Sequence, residues 1–226
     1  MSGDIMELKK SRATFPVPER SAGSIALHGR SPELQQERAA HTRKQILDAA
    51  AQLFDERGYG KTSVKDVADH VGMTKGAVYF HYPTKEALTI AVVEAHYHRW
   101  PVLLEAAQAK GLGPLDTVRE LLDQTAEAFR DDVVVQGGAR LQMEQPLPEG
   151  LLPQPYVGWI SLLTELLVEA AEAGELREGV SPSAAAYTLV SAFFGTQHIS
   201  ARLSRRADLV QRWSDARDLI FSALQP

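Results

Sequence analysis

The chain has 226 residues, of which 44% are hydrophobic, and these values predict a folded core of one or two domains. The absence of cysteine excludes disulfide bonds, thiolate metal sites and thiol nucleophiles. The formal net charge of −5 argues against a general nucleic-acid coat protein. Most of the acidity lies in residues 101–226, which carry 17 acidic and 10 basic side chains. Because no apolar run is long enough for a membrane span or a secretory signal, we expect a cytoplasmic protein without a membrane partner.

The first part of the chain divides into a tail and a helix. Residues 1–34 contain scattered proline and glycine without a sustained period, which predicts a mobile tail. The alternative is a basic arm that reaches a DNA minor groove. In residues 36–57, apolar side chains recur on one helical face, and Gly58 is suited to end that helix.

Three further helices are predicted before residue 101. Residues 63–71 begin at Ser63, with Asp66 placed to complete a capping box. Residues 74–80 begin at Thr74, another capping residue. The third helix spans residues 84–100, and Pro101 then forces a kink or an end.

The remainder also follows a helical period. Helices are predicted at residues 114–130, 133–144, 156–173, 182–203 and 208–224, with a proline-rich loop before the third of these. No alternating strand pattern occurs in the sequence. The predicted fold class is therefore all-α.

Residues 64–83 have the spacing of a helix-turn-helix. Ala68 is small where two helices would cross, Gly72 fits the turn, and Val78 would lock the second helix against the first. Val64, Val67 and Val71 would complete the shared core with Val78. Gly76 lowers helix stability by about 0.8–1.0 kcal/mol relative to alanine, which is reasonable if DNA must approach the backbone closely.

A longer run of residues resembles the DNA-binding region of the TetR family of bacterial repressors. The resemblance extends from Arg43 to Leu88 and includes the run Gly72-Met73-Thr74-Lys75-Gly76-Ala77-Val78-Tyr79-Phe80-His81-Tyr82. It implies a three-helix DNA-binding domain at residues 35–83. It also implies a helical ligand-binding and dimerisation domain at residues 84–226, and hence a homodimer on a roughly palindromic operator.

The same resemblance implies a role for individual residues in binding double-stranded DNA. Lys75 and Gly76 would face base edges, and Thr74, which caps their helix, is a further DNA-binding candidate on its outer face. The remaining candidates would contact the phosphate backbone: Thr42, Arg43, Thr62, Ser63, Tyr79, His81 and Lys85. Phosphate contacts determine affinity and salt dependence, whereas base contacts determine sequence preference.

The two last helices are candidates for a four-helix dimer interface. Their apolar stripes consist of Leu189, Val190, Phe193, Phe194 and Gln197, and of Leu209, Trp213, Ala216, Ile220 and Ala223. The alternative is that both stripes are core within one subunit.

A narrower resemblance concerns receptors for γ-butyrolactone-type and furan signalling molecules of antibiotic-producing actinomycetes. It rests on residues 71–83, 91–101 and Pro155-Tyr156-Val157-Gly158-Trp159. It implies that Trp159 lines a ligand pocket together with Tyr97, Gln142 and Tyr156, and that the regulated genes concern antibiotic biosynthesis. A ligand at Tyr97 would then tilt the helix of residues 84–100 and release the DNA.

Other readings remain open. Relatives with this fold also respond to antibiotics or other hydrophobic compounds, and a ligand-independent DNA-binding protein or an activator would share the same motif. An enzyme is disfavoured because the sequence lacks the nucleophile-elbow, P-loop and zincin motifs. We therefore predict no catalytic residue, no metal site and no cofactor.

Overall fold

The computed structural model describes residues 32–226, and residues 38–226 of these form one compact unit. The described part contains ten α-helices and no strand, so the all-α prediction is confirmed. The helices are α1 (Pro32–Arg57), α2 (Val64–His70), α3 (Lys75–His81), α4 (Lys85–Tyr97), α5 (Arg99–Gln108), α6 (Pro114–Asp131), α7 (Val133–Glu144), α8 (Val157–Glu172), α9 (Pro182–Ser204) and α10 (Leu209–Leu224). Most of the predicted tail lies outside the described residues, and the division at residue 83 stays a prediction.

The helix-turn-helix forms as its capping residues predict. Ser63 and Asp66 form the reciprocal capping box at the start of α2. The Thr74 hydroxyl accepts a hydrogen bond from the Ala77 amide at the start of α3. Gly72 adopts a φ of +67° in the turn between the two helices, a conformation that glycine tolerates without a Cβ penalty.

The core that joins α2 to α3 is also as predicted. Val64, Val67, Ala68 and Val78 are buried, and Val71 is half-buried against them. Since Val78 is fully buried, α3 has one fixed rotation about its own axis. Its opposite face is therefore always presented outward.

Two helix boundaries differ from the prediction by more than one residue. The first helix begins at Pro32 rather than at residue 36, because proline is favoured in a first helical turn and no breaker follows it. The predicted helix of residues 84–100 ends at Tyr97, and α5 begins at Arg99. Pro101 lies in the first turn of α5, where its missing N–H is not needed, so the chain breaks before the proline rather than at it.

Helix α7 packs unusually close to two other helices through adjacent glycines. A Cβ added at Gly137 would lie 2.3 Å from the carbonyl oxygen of Ala51 in α1. A Cβ added at Gly138 would lie 2.4 Å from the Cβ of His96 in α4. The glycine pair therefore lets α7 contact α1 and α4 at backbone distance.

The apolar stripes that we assigned to a dimer interface lie mainly within the core of one subunit, so that assignment is wrong. Leu189, Val190 and Phe193 of α9 and Leu209 and Trp213 of α10 are buried among helices of the same chain. These five side chains already pack against the rest of this subunit, including α6 and α8, and are not available to a second one. Ala216 and Ile220 are half-buried and Ala223 is exposed. The exposed large apolar side chains of α9 and α10 are different residues: Tyr187, Ile199, Leu203 and Leu219.

None of the helices in residues 32–226 combines the length and apolar character needed to cross a membrane.

Candidate DNA-binding surface and ligand cleft

The outward surface of α3 carries residues predicted to contact DNA. Lys75 and Gly76, predicted to face bases, and Tyr79, predicted to contact phosphate, are all exposed, whereas Val78 is buried. The Lys75 ammonium lies 5.4 Å from the centroid of the Tyr79 ring. An extended cation and a phenol hydroxyl at this surface can both contact a nucleic-acid phosphate or a base edge.

The start of α2 corrects one predicted phosphate contact. Thr62 is buried, and its hydroxyl donates to the carbonyl oxygens of Leu53 and Gly58. Its amide donates to the Tyr59 carbonyl oxygen. Thr62 is therefore committed to holding the end of α1 and offers no free donor for a phosphate. Ser63 is exposed beside it, but its amide and its hydroxyl both donate to Asp66 Oδ2.

Arg43 is a residue of α1 whose side chain reaches the end of α3. Its guanidinium stacks over the Tyr82 ring, with 4.6 Å from Cζ to the centroid, and donates to the His81 carbonyl oxygen. The Tyr82 hydroxyl donates to the Arg43 carbonyl oxygen. Arg43 remains exposed, while Thr42 and His81 are half-buried, so this corner presents one cation beside the recognition helix.

Lys85 is held more tightly than its predicted role requires. Its ammonium donates to the Tyr59 carbonyl oxygen over 2.6 Å and lies 3.6 Å from the centroid of the Tyr59 ring. Burial lowers the pKa of Lys85 from its usual value, against the opposing charges of Glu86 and Asp66. A contact with phosphate would therefore have to share this ammonium with the loop before α2.

Phe80 is a surface residue that the sequence analysis did not select. Its side chain is 82% exposed on α3. The available signal was its position, four residues after Gly76, which leaves no side chain on the preceding turn to cover it. Hydrophobicity alone instead favoured a place in the core.

A separate cleft brings together all four residues predicted to contact a ligand. Tyr97, Gln142, Tyr156 and Trp159 line it together. Tyr156 was predicted to be the first residue of the helix that carries Trp159, but it precedes α8 and has a φ of +69°. The remaining lining residues are His96, Ala139, Met143, Pro155, Phe194 and Gln197.

One buried donor that lines the cleft has no hydrogen-bond partner. The Tyr97 hydroxyl donates to Gln142 Oε1 over 3.3 Å. Gln142 is buried, and its Nε2 has no hydrogen-bond partner. An unpaired buried amide costs about 1–3 kcal/mol, so an acceptor oxygen brought to this atom would be favourable.

Aromatic rings form the rest of the wall. The Trp159 ring lies 5.1 Å from the Trp100 ring, and the Tyr156 ring lies 4.8 Å from the Phe194 ring, between centroids. Burial raises the pKa of both Tyr97 and Tyr156, which keeps their hydroxyls neutral. The cleft is thus an apolar site with a small number of placed hydrogen-bonding groups.

His96 is a lining residue that the sequence analysis missed. Its Nδ1 lies 3.0 Å from the Val135 carbonyl oxygen, and its ring packs edge-on against Trp100. Burial lowers the pKa of His96 to about 4, despite the opposing effects of that carbonyl and of Asp132. The imidazole is therefore neutral near pH 7 and donates from Nδ1.

The helix that carries Gln142 is also bonded to the DNA-binding helices. Arg140 of α7 donates to the Asp55 carbonyl oxygen at the end of α1. Glu144 Oε2 accepts from the Tyr59 amide over 2.8 Å. Tyr97 packs against both hydrophobic clusters of the structure, one around α1 to α4 and one around α6 to α10. A shift of α7 or of Tyr97 would therefore also move residues that contact the helix-turn-helix.

Within residues 32–226, no group of three or more histidine, aspartate or glutamate side chains is arranged to hold a metal ion.

Comparison with known proteins identifies a family model for the region of the helix-turn-helix and relatives that match most of the chain. The family model for bacterial regulatory proteins of the tetR family matches residues 46–92. The A-factor receptor protein of Streptomyces griseus is 32% identical over 175 residues, which are 77% of this chain and 60% of that protein. The chain thus spans less than two thirds of this curated relative.

Two solved structures match more completely. One, described as the molecular basis for control of antibiotic production by bacterial hormones, is 56% identical, with a TM-score of 0.74. The match covers 82% of this chain and 98% of that one. The other, a gamma-butyrolactone receptor (ArpA-like protein), is 30% identical, with a TM-score of 0.65, and the match covers 81% and 100% of the two chains.

Proposed function

The chain belongs to the TetR family of bacterial regulatory proteins, and on that premise we propose that it is a dimeric repressor that a small signalling molecule releases from operator DNA. The signalling molecule would be of the γ-butyrolactone, butenolide or furan type. The regulated genes would include those for antibiotic biosynthesis. The single observation that carries the ligand half is the unpartnered Gln142 amide inside an aromatic cleft.

The DNA half of the proposal rests on α3. Val78 fixes the rotation of this helix, so Lys75, Gly76 and Tyr79 enter a major groove together. Arg43 is exposed beside the end of α3 and would contact a phosphate there. One such unit reads few base pairs, so two copies on a roughly palindromic site would supply the specificity.

The ligand half rests on the chemistry of the cleft. Tyr156, Trp159 and Phe194 provide apolar area, and Gln142 Nε2 would donate to a carbonyl, lactone or carboxylate oxygen. Among the relatives, the gamma-butyrolactone receptor supports a signalling lactone as the ligand. An antibiotic with a similarly placed oxygen is the alternative ligand.

The size of the cleft indicates how release would work. Its volume is about 30 Å³, enough for one or two water molecules, whereas small-molecule sites usually enclose roughly 300–1,000 Å³. A ligand must therefore stabilise a wider state, in which α4 and α7 stand apart. Because α7 is hydrogen-bonded to the end of α1 and to Tyr59, a wider cleft would change the position of the helix-turn-helix formed by α2 and α3. Couplings of this kind are typically 1–3 kcal/mol.

A gel-shift assay tests the proposal. The purified full chain is mixed with DNA from upstream of its own gene, with and without an ethyl acetate extract of the source culture. We expect a shifted complex that the extract dissolves. A complex that no extract, lactone, furan or antibiotic disturbs would contradict the ligand half and support a ligand-independent DNA-binding protein.

A variant pair connects the release to the cleft. Gln142→Leu removes the free amide donor and should bind the same DNA while requiring at least tenfold more extract for release. Gln108→Leu makes the same change at an exposed position at the end of α5 and should respond as the wild type does. Equal sensitivity of the Gln142 variant would place the ligand elsewhere.

A further inference from the structure

Phe80 is the most exposed large hydrophobic side chain in residues 34–226, at 82%. It lies on the same outward arc of α3 as Lys75, Gly76 and Tyr79. An aromatic ring kept in water on a helix this short gains nothing from burial in the folded subunit. The ring is therefore available to a partner.

Little covers the side chain of Phe80. Gly76 precedes it by one turn, and a Cβ added at Gly76 would meet only the Thr74 hydroxyl, at 3.9 Å. The His81 ring packs edge-on against the Phe80 ring, with 5.3 Å between centroids, and supports it from one side. Apart from this contact the Phe80 side chain is largely open to solvent, and Gly76, one turn earlier, has no side chain that could cover it.

The chemistry of a phenyl ring restricts what it can contact in DNA. The ring has no hydrogen-bond donor, so it cannot bind a phosphate or the polar edge of a base. The apolar group that a major groove presents is the C5-methyl of thymine. Lys75 and Tyr79, on the same arc, carry the polar groups that would contact neighbouring base edges and phosphates.

We infer that Phe80 is a specificity-determining residue that packs against a thymine methyl group in each operator half-site, with the methyl seated between the ring and the Gly76 backbone. This inference rests on the proposed function, since it requires α3 to lie in the major groove. It adds a requirement that hydrogen bonds do not supply, namely a methyl group at one position of each half-site.

The test removes the methyl group without changing base pairing. The bound segment upstream of the gene is first located by footprinting with the full chain. Each thymine is then replaced by deoxyuridine, symmetrically in both half-sites, and the affinity is measured by fluorescence anisotropy. We expect one position at which the wild type loses about fourfold in affinity per half-site, the effect of one buried methyl group.

The dependence on Phe80 separates this contact from other uses of the ring. Phe80→Ala should bind thymine and deoxyuridine operators equally at that position, while Phe80→Leu should retain part of the preference. Val102→Ala is the matched control, because it shortens an exposed apolar side chain on α5 and should keep the full preference. Circular dichroism checks that each variant is folded.

Each outcome decides a different point. A chain that shifts no upstream DNA overturns the proposed function, and this inference with it. A chain that binds a defined operator but is indifferent to deoxyuridine at every position overturns the role of Phe80 alone. The same holds if Phe80→Ala keeps the wild-type preference, because another residue then contacts the methyl group.

Discussion

The guanidinium of Arg206 forms a two-pronged ion pair with the carboxylate of Asp55, 151 residues earlier in the chain, with Nη1–Oδ2 and Nη2–Oδ1 distances of 2.9 and 2.8 Å. Arg206 lies between α9 and α10 at a φ of +67°, and its side chain is only 9% exposed. Asp55 is in the last turn of α1. This pair therefore connects the turn before the last helix to the end of the first described helix.

Removing the Asp55 charge should destabilise the protein. Asp55→Asn leaves a buried guanidinium without its counter-charge, and we expect the free energy of unfolding to decrease by roughly 2–4 kcal/mol, given the partial exposure of Asp55. Urea unfolding followed by circular dichroism measures the change.

The exposed ion pair between Lys65 and Asp69 in α2 provides the control. Lys65→Gln should leave the urea midpoint unchanged, because both partners remain hydrated. Equal midpoints for Asp55→Asn and the wild type would show that the Arg206 pair contributes nothing to the fold.

Closing the gap between α7 and α4 should also be costly. Gly138→Ala would place a methyl group 2.4 Å from the His96 Cβ, so we expect a loss of about 1–3 kcal/mol in the free energy of unfolding. Gly158→Ala in the first turn of α8 meets no atom within 4 Å and should be neutral or stabilising. Thermal unfolding measures both variants. Equal midpoints for Gly138→Ala and Gly158→Ala would contradict the close packing at Gly138.

The buried imidazole of His96 should make the stability depend on pH. Burial lowers the pKa of His96 to about 4 in the native protein, against a value of 6.5 for an ordinary histidine. At pH values between these two, the unfolded chain binds a proton that the native protein does not. The free energy of unfolding therefore decreases as the pH decreases. We expect a loss of roughly 3 kcal/mol from His96 as the pH decreases from above 6.5 to 4.

Urea unfolding over this range measures the effect, and two variants assign it. His96→Asn removes the titrating ring and should flatten this part of the pH dependence. His98→Asn, at an exposed position two residues later, should retain the wild-type slope. An unchanged slope in His96→Asn would assign the proton uptake to other groups.

The exposed apolar residues of α9 and α10 indicate where a second subunit would pack. Leu219 is 76% exposed on α10, and Tyr187 is 63% exposed on α9. If two subunits join through these helices, Leu219→Glu should shift the protein to monomer and greatly weaken operator binding, with the helical content preserved. Sedimentation velocity would contradict this interface if the variant remained a dimer.

Local signals in the sequence were sufficient for the helix-turn-helix. Ser63 and Thr74 cap their helices through hydrogen bonds to residues three positions later, and Gly72 forms the turn through its own backbone conformation. Each is found in the predicted cap or turn. Thr62 was misassigned because its two acceptors, at Leu53 and Gly58, depend on how the chain folds back on the end of α1. A sequence pattern does not contain that geometry.

The same distinction applies to the cleft. The helical period could not indicate which side of α9 or α10 faces its own subunit, because both sides carry apolar residues. His96 was missed because its burial depends on Gly138 of another helix. The break before Arg99 was missed because proline is equally compatible with the first turn of a new helix and with the end of an old one. The family resemblance nevertheless selected four residues that line one cleft.

The most direct test adds the active extract to the complex of the Tyr97→Phe variant with operator DNA and measures how much DNA is released. This change removes only the hydroxyl that orients the Gln142 amide and leaves the ring packed against both hydrophobic clusters. The account predicts that, by fluorescence anisotropy, the variant binds operator with wild-type affinity but requires about tenfold more extract for half-release. Equal half-release concentrations for Tyr97→Phe and the wild type would contradict the claim that this cleft controls DNA binding.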